Sequence, residues 1–209
     1  MSPRLKSYLF PVTLLTALLL IGAFFLYRSS GGAPGLPVVG PAADFTLTDL
    51  NGKPVKASDN AGRVVLMEFM FTSCPDICPL TTYKMVQLQE RLKEQDRFGS
   101  EVRFVAVTFD PENDTQEALR KYADRMGLDL SGWQILRGEE AATRDIAAQY
   151  GIDVVNMGDG QFVHSVTSLQ LIDAEQRVRK VYSMGEEMDN EEVMDDLTAL
   201  LAERNDSRT

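Results

Sequence analysis

The sequence predicts an α/β fold, a mixed sheet flanked by helices, carried behind an N-terminal transmembrane anchor helix. Three observations predict it. VVLMEFM (64–70) and VRFVAVTF (102–109) are apolar runs of strand length, as expected of buried strands. Each is followed by a stretch whose apolar residues recur at helical spacing. Two further strand-like runs close the chain ahead of a last helix, and strands that alternate with helices before a terminal hairpin make a mixed sheet covered on both faces.

The anchor comes first. From Tyr8 to Tyr27, YLFPVTLLTALLLIGAFFLY holds no charge. At ~1.5 Å of rise per residue it spans about 30 Å, the thickness of a bilayer's hydrocarbon core, with a tyrosine for each interface. A cleaved signal peptide has a shorter apolar region, roughly 7 to 15 residues, and a small-residue cleavage site; RSSGGAPG offers no such site, and no cysteine stands nearby for a lipid. Arg4 and Lys6 precede the run and only Arg28 follows, so the positive-inside bias keeps the N-terminus in the cytoplasm and exports the body. The run begins too early to leave room for an organelle transit peptide, which points to a bacterial inner membrane with the domain in the periplasm. SSGGAPGLPVVGP (29–41) is a Gly/Pro/Ser linker. The division is therefore anchor 1–28, linker 29–41 and one folded domain 42–209.

Within the domain, FTLTDLNGKPV predicts a hairpin around Asn51-Gly52. After the 64–70 strand, residues 79–96 place Met85, Leu88 and Leu92 at helical spacing. The 102–109 strand leads into DPENDTQEALRKYADRMG, a helix with Asp114 as its expected N-cap, Glu117 three residues on and Gly127 beyond its end. WQIL (133–136) is a short strand. GEEAATRDIAAQYG is a helix with Ala142, Ile146 and Tyr150 on one face, stopped by Gly151. TSLQLID (167–173) and VRKVYS (178–183) form the closing hairpin, and the last helix aligns Val193, Leu197 and Leu200.

Charge narrows the partners. Three of the 21 basic residues lie in 1–28, leaving 18 against 31 acids, a formal net of −13 for the remainder. An acidic body repels nucleic-acid phosphates and anionic lipid headgroups, and attracts a basic protein surface.

The chemistry concentrates in FTSCPDICPLT (71–81), which holds both cysteines, Cys74 and Cys78. Unpaired N–H groups and the positive end of a helix stabilise a thiolate where a strand feeds a helix. Pro75 and Pro79 suit a first turn. Three readings stand: a structural disulfide, geometrically allowed but a weak staple over so short a loop; a redox dithiol; and a metal clip, for which two thiolates favour Cu(I) or zinc. The chain's single histidine, His164, lies in GQFVHSVTSLQLID, just before the strand expected at 167–173. In thioredoxin-like folds the segment entering this strand faces the cysteine loop, usually through a cis-proline; this sequence has no proline between 158 and 172, and carries an imidazole instead. Cys74, Cys78 and His164 would make an S₂N set. Met67, Met70 and Met85 lie close in sequence, but their strand and helix spacing assigns them to the core. Asp76, between the cysteines, is expected to face solvent.

FTSCPDICP, FDPENDT and VHSVTSLQLID, in that order, resemble the three motifs of the Sco/SenC copper proteins of cytochrome c oxidase assembly, and the resemblance covers anchor, linker and domain. It implies a thioredoxin-like fold, copper as Cu(I) or Cu(II) on Cys74, Cys78 and His164, and service to the dinuclear copper site of oxidase subunit II. It also implies exchange with other periplasmic copper chaperones and thiol reductants. Members are described as copper donors, as thiol reductants of that site, or both; only the second role makes Cys74 and Cys78 a catalytic pair. Many members carry an acid directly before the histidine where this chain has Val163, and a carboxylate that orients the imidazole would be missing here. Asp110, ending the second strand, is expected near the cysteine loop.

Overall fold

The computed structural model describes residues 35–158, 161–164 and 168–206, together with Thr16, Leu20 and Gly22. The expected anchor helix across 8–27 and the first residues of the linker lie outside the described residues apart from those three positions; among the described residues no helix is long and apolar enough to cross a membrane. Leu36 onward forms one compact unit.

Its centre is VVLMEFM, strand β4 (Val64–Met70), all seven residues buried. Strands β1 (Gly40–Pro41), β5 (Val102–Thr108), β6 (Trp133–Leu136), β9 (Ser168–Ile172) and β10 (Arg177–Ser183) complete a six-stranded sheet in the order β1-β10-β9-β4-β5-β6. The β4-β5-β6 side is parallel, while β9 runs antiparallel to β4 and β10 antiparallel to β9. The expected first hairpin is β2 (Thr46–Thr48) with β3 (Pro54–Lys56). A second small hairpin, β7 (Val154–Gly158) with β8 (Gln161–His164), is one the sequence reading does not anticipate. The last residues of the predicted linker belong to the sheet: Val39 N–H donates to the Val178 carbonyl at 2.8 Å, and buried Arg179 donates from Nε to the Leu36 carbonyl at 2.9 Å.

Helices α1 (Ile77–Glu94), α2 (Gln116–Met126), α3 (Glu140–Gln149) and α4 (Asn190–Asp206) follow. Because strand side chains alternate faces, Glu68 of β4 meets Thr82 of α1 while its neighbour Phe69 packs against Tyr150 beyond α3, the rings tilted with centroids 5.7 Å apart. The sheet is covered on both faces, as expected. On α4, Val193, Leu197 and Leu200 are buried together.

Two local expectations need correcting. The cap of α2 is Thr115, whose hydroxyl accepts from the Ala118 N–H, and not Asp114; Gly127 does end that helix in the left-handed region. On α3, Ala142 is exposed and Thr143 takes the inward position, its hydroxyl donating to main-chain carbonyls one turn back.

Candidate metal centre

Parallel pairing brings the ends of β4 and β5 side by side, with Met70 opposite Thr108. The chain leaving β4 turns at once: the Cys74 N–H donates to the Phe71 carbonyl at 3.2 Å. Cys74 is thus three residues ahead of α1, and Cys78 is the helix's second residue. Asp76 occupies the capping position with no side-chain cap bond, and it is exposed as expected. A helix start leaves several N–H groups without internal partners. Here a sulfur serves them: Cys78 N–H donates to Cys74 Sγ at 3.4 Å, joined by the N–H groups of Asp76 and Ile77.

The consequence is electrostatic. The hydrogen bond from the Cys78 thiol, and then these main-chain donors, lower the Cys74 thiol to about 6 against the opposition of burial. Cys78 is pushed far upward by its bond to Cys74, by burial, and by the negative charges of Cys74 and Glu68; a contact from the Phe71 N–H opposes. Cys74 is half-buried and Cys78 is 1% exposed. Both are free thiols. The pair is therefore an accessible thiolate backed by a buried thiol.

Beneath it lies a residue that motif reasoning misses. Glu68, fully buried in β4, accepts a bond from the Thr82 hydroxyl at 3.3 Å, and Thr82 in turn meets the Tyr122 hydroxyl at 2.8 Å. Its other oxygen has no partner among the described residues. Burial raises its carboxyl to about 8; Thr82 opposes, and Cys74's charge adds. The signal was the one charge inside VVLMEFM.

Asp114, completely buried, collects the Thr72 N–H at 3.1 Å, the Thr72 hydroxyl, and the Thr108 hydroxyl at 2.5 Å. Burial raises its carboxyl and these donors oppose the rise. Asp110, also buried, is taken up by Asn113, whose side-chain amide donates to both its oxygens at 3.0 Å. Met67, Met70 and Met85 are all buried in the core, as their spacing implies. His164 ends β8 with its backbone opposite Val154; its side chain lies outside the described residues. Among the described residues no three of His, Cys, Asp and Glu gather to hold a metal, and the two thiols are the donors that do meet.

Comparison with known proteins bears on this geometry. A model of the SCO1/SenC family matches residues 40–202. The SCO1 protein homolog of Bacillus subtilis (strain 168) is 29% identical over 181 residues, 84% of this chain and 92% of its own. The structure of BsSco, described as a member of the Sco family of cytochrome c oxidase assembly proteins with a disulfide switch, superposes with a TM-score of 0.70 at 27% identity, over 79% of this chain and 96% of its own. Arabidopsis thaliana ScoI, solved with copper bound, gives a TM-score of 0.66 at 25% identity, over 78% of this chain and 98% of its own.

Proposed function

The chain belongs to the SCO1/SenC family, and from that premise we propose that it is a copper-binding assembly factor. It holds one copper ion as cargo on the Cys74 and Cys78 thiolates and the His164 imidazole, and passes it to the dinuclear copper site of cytochrome c oxidase subunit II. The observation that carries this reading is the thiol pair at the head of α1: one sulfur is held as an accessible thiolate by main-chain donors, and a second thiol is hydrogen-bonded to it. Paired thiolates are soft donors suited to Cu(I), and an added imidazole suits Cu(II). The copper-bound plant relative and the oxidase-assembly relative are consistent with it. The anchor at 8–27 tethers the domain to the periplasmic face of the inner membrane, where periplasmic copper chaperones and thiol reductants reach it.

The unequal thiols favour a second reading, reduction of the cysteines in subunit II. Cys74 thiolate attacks a partner disulfide, forming a mixed disulfide and expelling one partner thiolate. Cys78 sulfur then attacks Cys74 sulfur and releases the other partner thiolate, which takes up the Cys78 proton. Two electrons pass from the pair to the partner.

An anaerobic copper titration of the full chain in detergent separates the two. Reduced protein should bind one Cu(I), oxidised protein essentially none, because ligation needs both thiolates. Cys74→Ala and Cys78→Ala should each abolish tight binding. Oxidised protein that held copper as well as reduced protein would overturn the assignment. Reduced protein that bound none, yet reduced a disulfide-bonded subunit II domain, would establish the second reading.

A further inference from the structure

The Asp-Pro-x-x-Asp-Thr segment carries a conspicuous acid that the copper reading leaves unused. Asp114 is buried and forms no ion pair among the described residues; its partners are the Thr72 N–H, the Thr72 hydroxyl and the Thr108 hydroxyl. Hydrogen bonds to a charged acceptor are among the stronger ones in a protein. Three donors converging on one carboxylate lock the segments they come from.

What they lock is the peptide next to the thiols. Thr72 follows Phe71, and the Phe71 residue touches both cysteines: its carbonyl accepts the Cys74 N–H at 3.2 Å, and its N–H donates to the Cys78 sulfur. The Thr72 hydroxyl and N–H fix the C-terminal side of that residue to Asp114. Thr108, at the end of β5, fixes Asp114 to the sheet, and the Asp114 N–H donates to the Asp110 carbonyl at 2.8 Å. We infer that Asp114 is a positioning residue for the thiol pair, holding Phe71 through the Phe71–Thr72 peptide so that its carbonyl meets Cys74 and its N–H meets Cys78. Partners behind a reacting group set its orientation in this way, and their loss is felt at the site without any contact to the cargo. The side-chain bonds of Asp114 go to Thr72 and Thr108 and to neither sulfur.

The inference sharpens the proposed function but is tested without copper. The readout is the equilibrium between the Cys74–Cys78 dithiol and its disulfide, measured on the full chain in detergent against a glutathione buffer. The contacts from Phe71 support the reduced pair, so loosening them should favour the disulfide. Asp114→Asn should shift that equilibrium at least tenfold toward the disulfide, about 30 mV for a two-electron couple. Thr72→Val, which keeps the N–H but loses the hydroxyl, should move it the same way by about threefold, and Thr72→Ser should restore the wild-type value. Leu200→Ala, a core truncation on α4, supplies a loss of stability unrelated to the loop and should leave the equilibrium within twofold.

A folded Asp114→Asn protein with an unchanged equilibrium overturns the inference, as does a shift that Leu200→Ala reproduces. Should Asp114→Asn not fold, Thr72→Val decides on the same measurement, and no shift there overturns it equally. Wild-type protein that binds no copper would sink the metal reading and leave this result standing.

Discussion

Glu68 is ionised in the folded chain only at a cost. Its carboxyl titrates at about 8 in place of the ordinary 4.5 because it is fully buried. Between those values the folded protein keeps a proton that the unfolded chain has released, so Glu68's contribution to stability falls as pH rises from about 4.5 to about 8 and then levels, while the lowered Cys74 thiol acts the other way from about 6. The gap bounds the effect at about 5 kcal/mol. Glu68→Gln should flatten that slope and leave the variant more stable than wild type above pH 8 in denaturant titrations; parallel curves would locate the pH dependence elsewhere. At His164 the contrast is between oxidation states. Cu(I) accepts two thiolates alone, whereas Cu(II) asks for more ligands and a nitrogen donor. His164→Ala should weaken Cu(II) binding far more than Cu(I) and erase the visible sulfur-to-copper absorption, and a folded variant with an unchanged Cu(II) spectrum would remove His164 from the ligand set. The two cysteines were legible because a short spacing behind a buried strand has few chemical uses. Glu68 was visible but not interpretable, since its weight comes from what surrounds it. Asp114 was misread as a cap because the pattern is local, while its Thr72 partner is 42 residues away.

At the scale of elements, the 3-10 turn Gly185–Glu187 seats itself on α1 beside the cysteine motif. Gly185 has φ +70°, its N–H donates to the Thr81 hydroxyl at 2.8 Å, and a Cβ there would fall 2.7 Å from Ile77 Cγ1. Gly185→Ala therefore meets both a left-handed backbone and a clash with the residue next to Cys78, and should cost about 1–3 kcal/mol. A midpoint in denaturant indistinguishable from wild type would show that the turn yields freely. The strands at 64–70 and 133–136 match their sequence reading to the residue, because uninterrupted apolar runs leave little choice. The β7–β8 hairpin escaped notice for the opposite reason: VVNM and QFVH are short and mixed, with only Gly158-Asp159-Gly160 to mark a turn.

For the whole molecule, the alternation of strands and helices was enough to name the fold class, since a parallel β4–β5–β6 unit requires its crossovers to cover the sheet. The docking of residues 36–41 was not legible, because a Gly/Pro composition describes a free linker and says nothing of the Arg179 side chain that captures Leu36. The anchor expected at 8–27 sets a testable topology. A periplasm-dependent reporter fused after Thr209 should be active, and activity of a cytoplasm-only reporter at that point would reverse the orientation. Helix α1 begins on a sulfur atom where most helices begin on an oxygen. That acceptor is also the atom on which the proposed chemistry falls. In the proposed function, copper on Cys74 or a bond to Cys78 would compete with the amides of Asp76, Ile77 and Cys78 for its lone pairs, and the first turn should loosen. The head of this helix is then a built-in gauge, and the exchange rates of three amide protons would tell a client, or an observer, whether the protein is loaded, spent or ready.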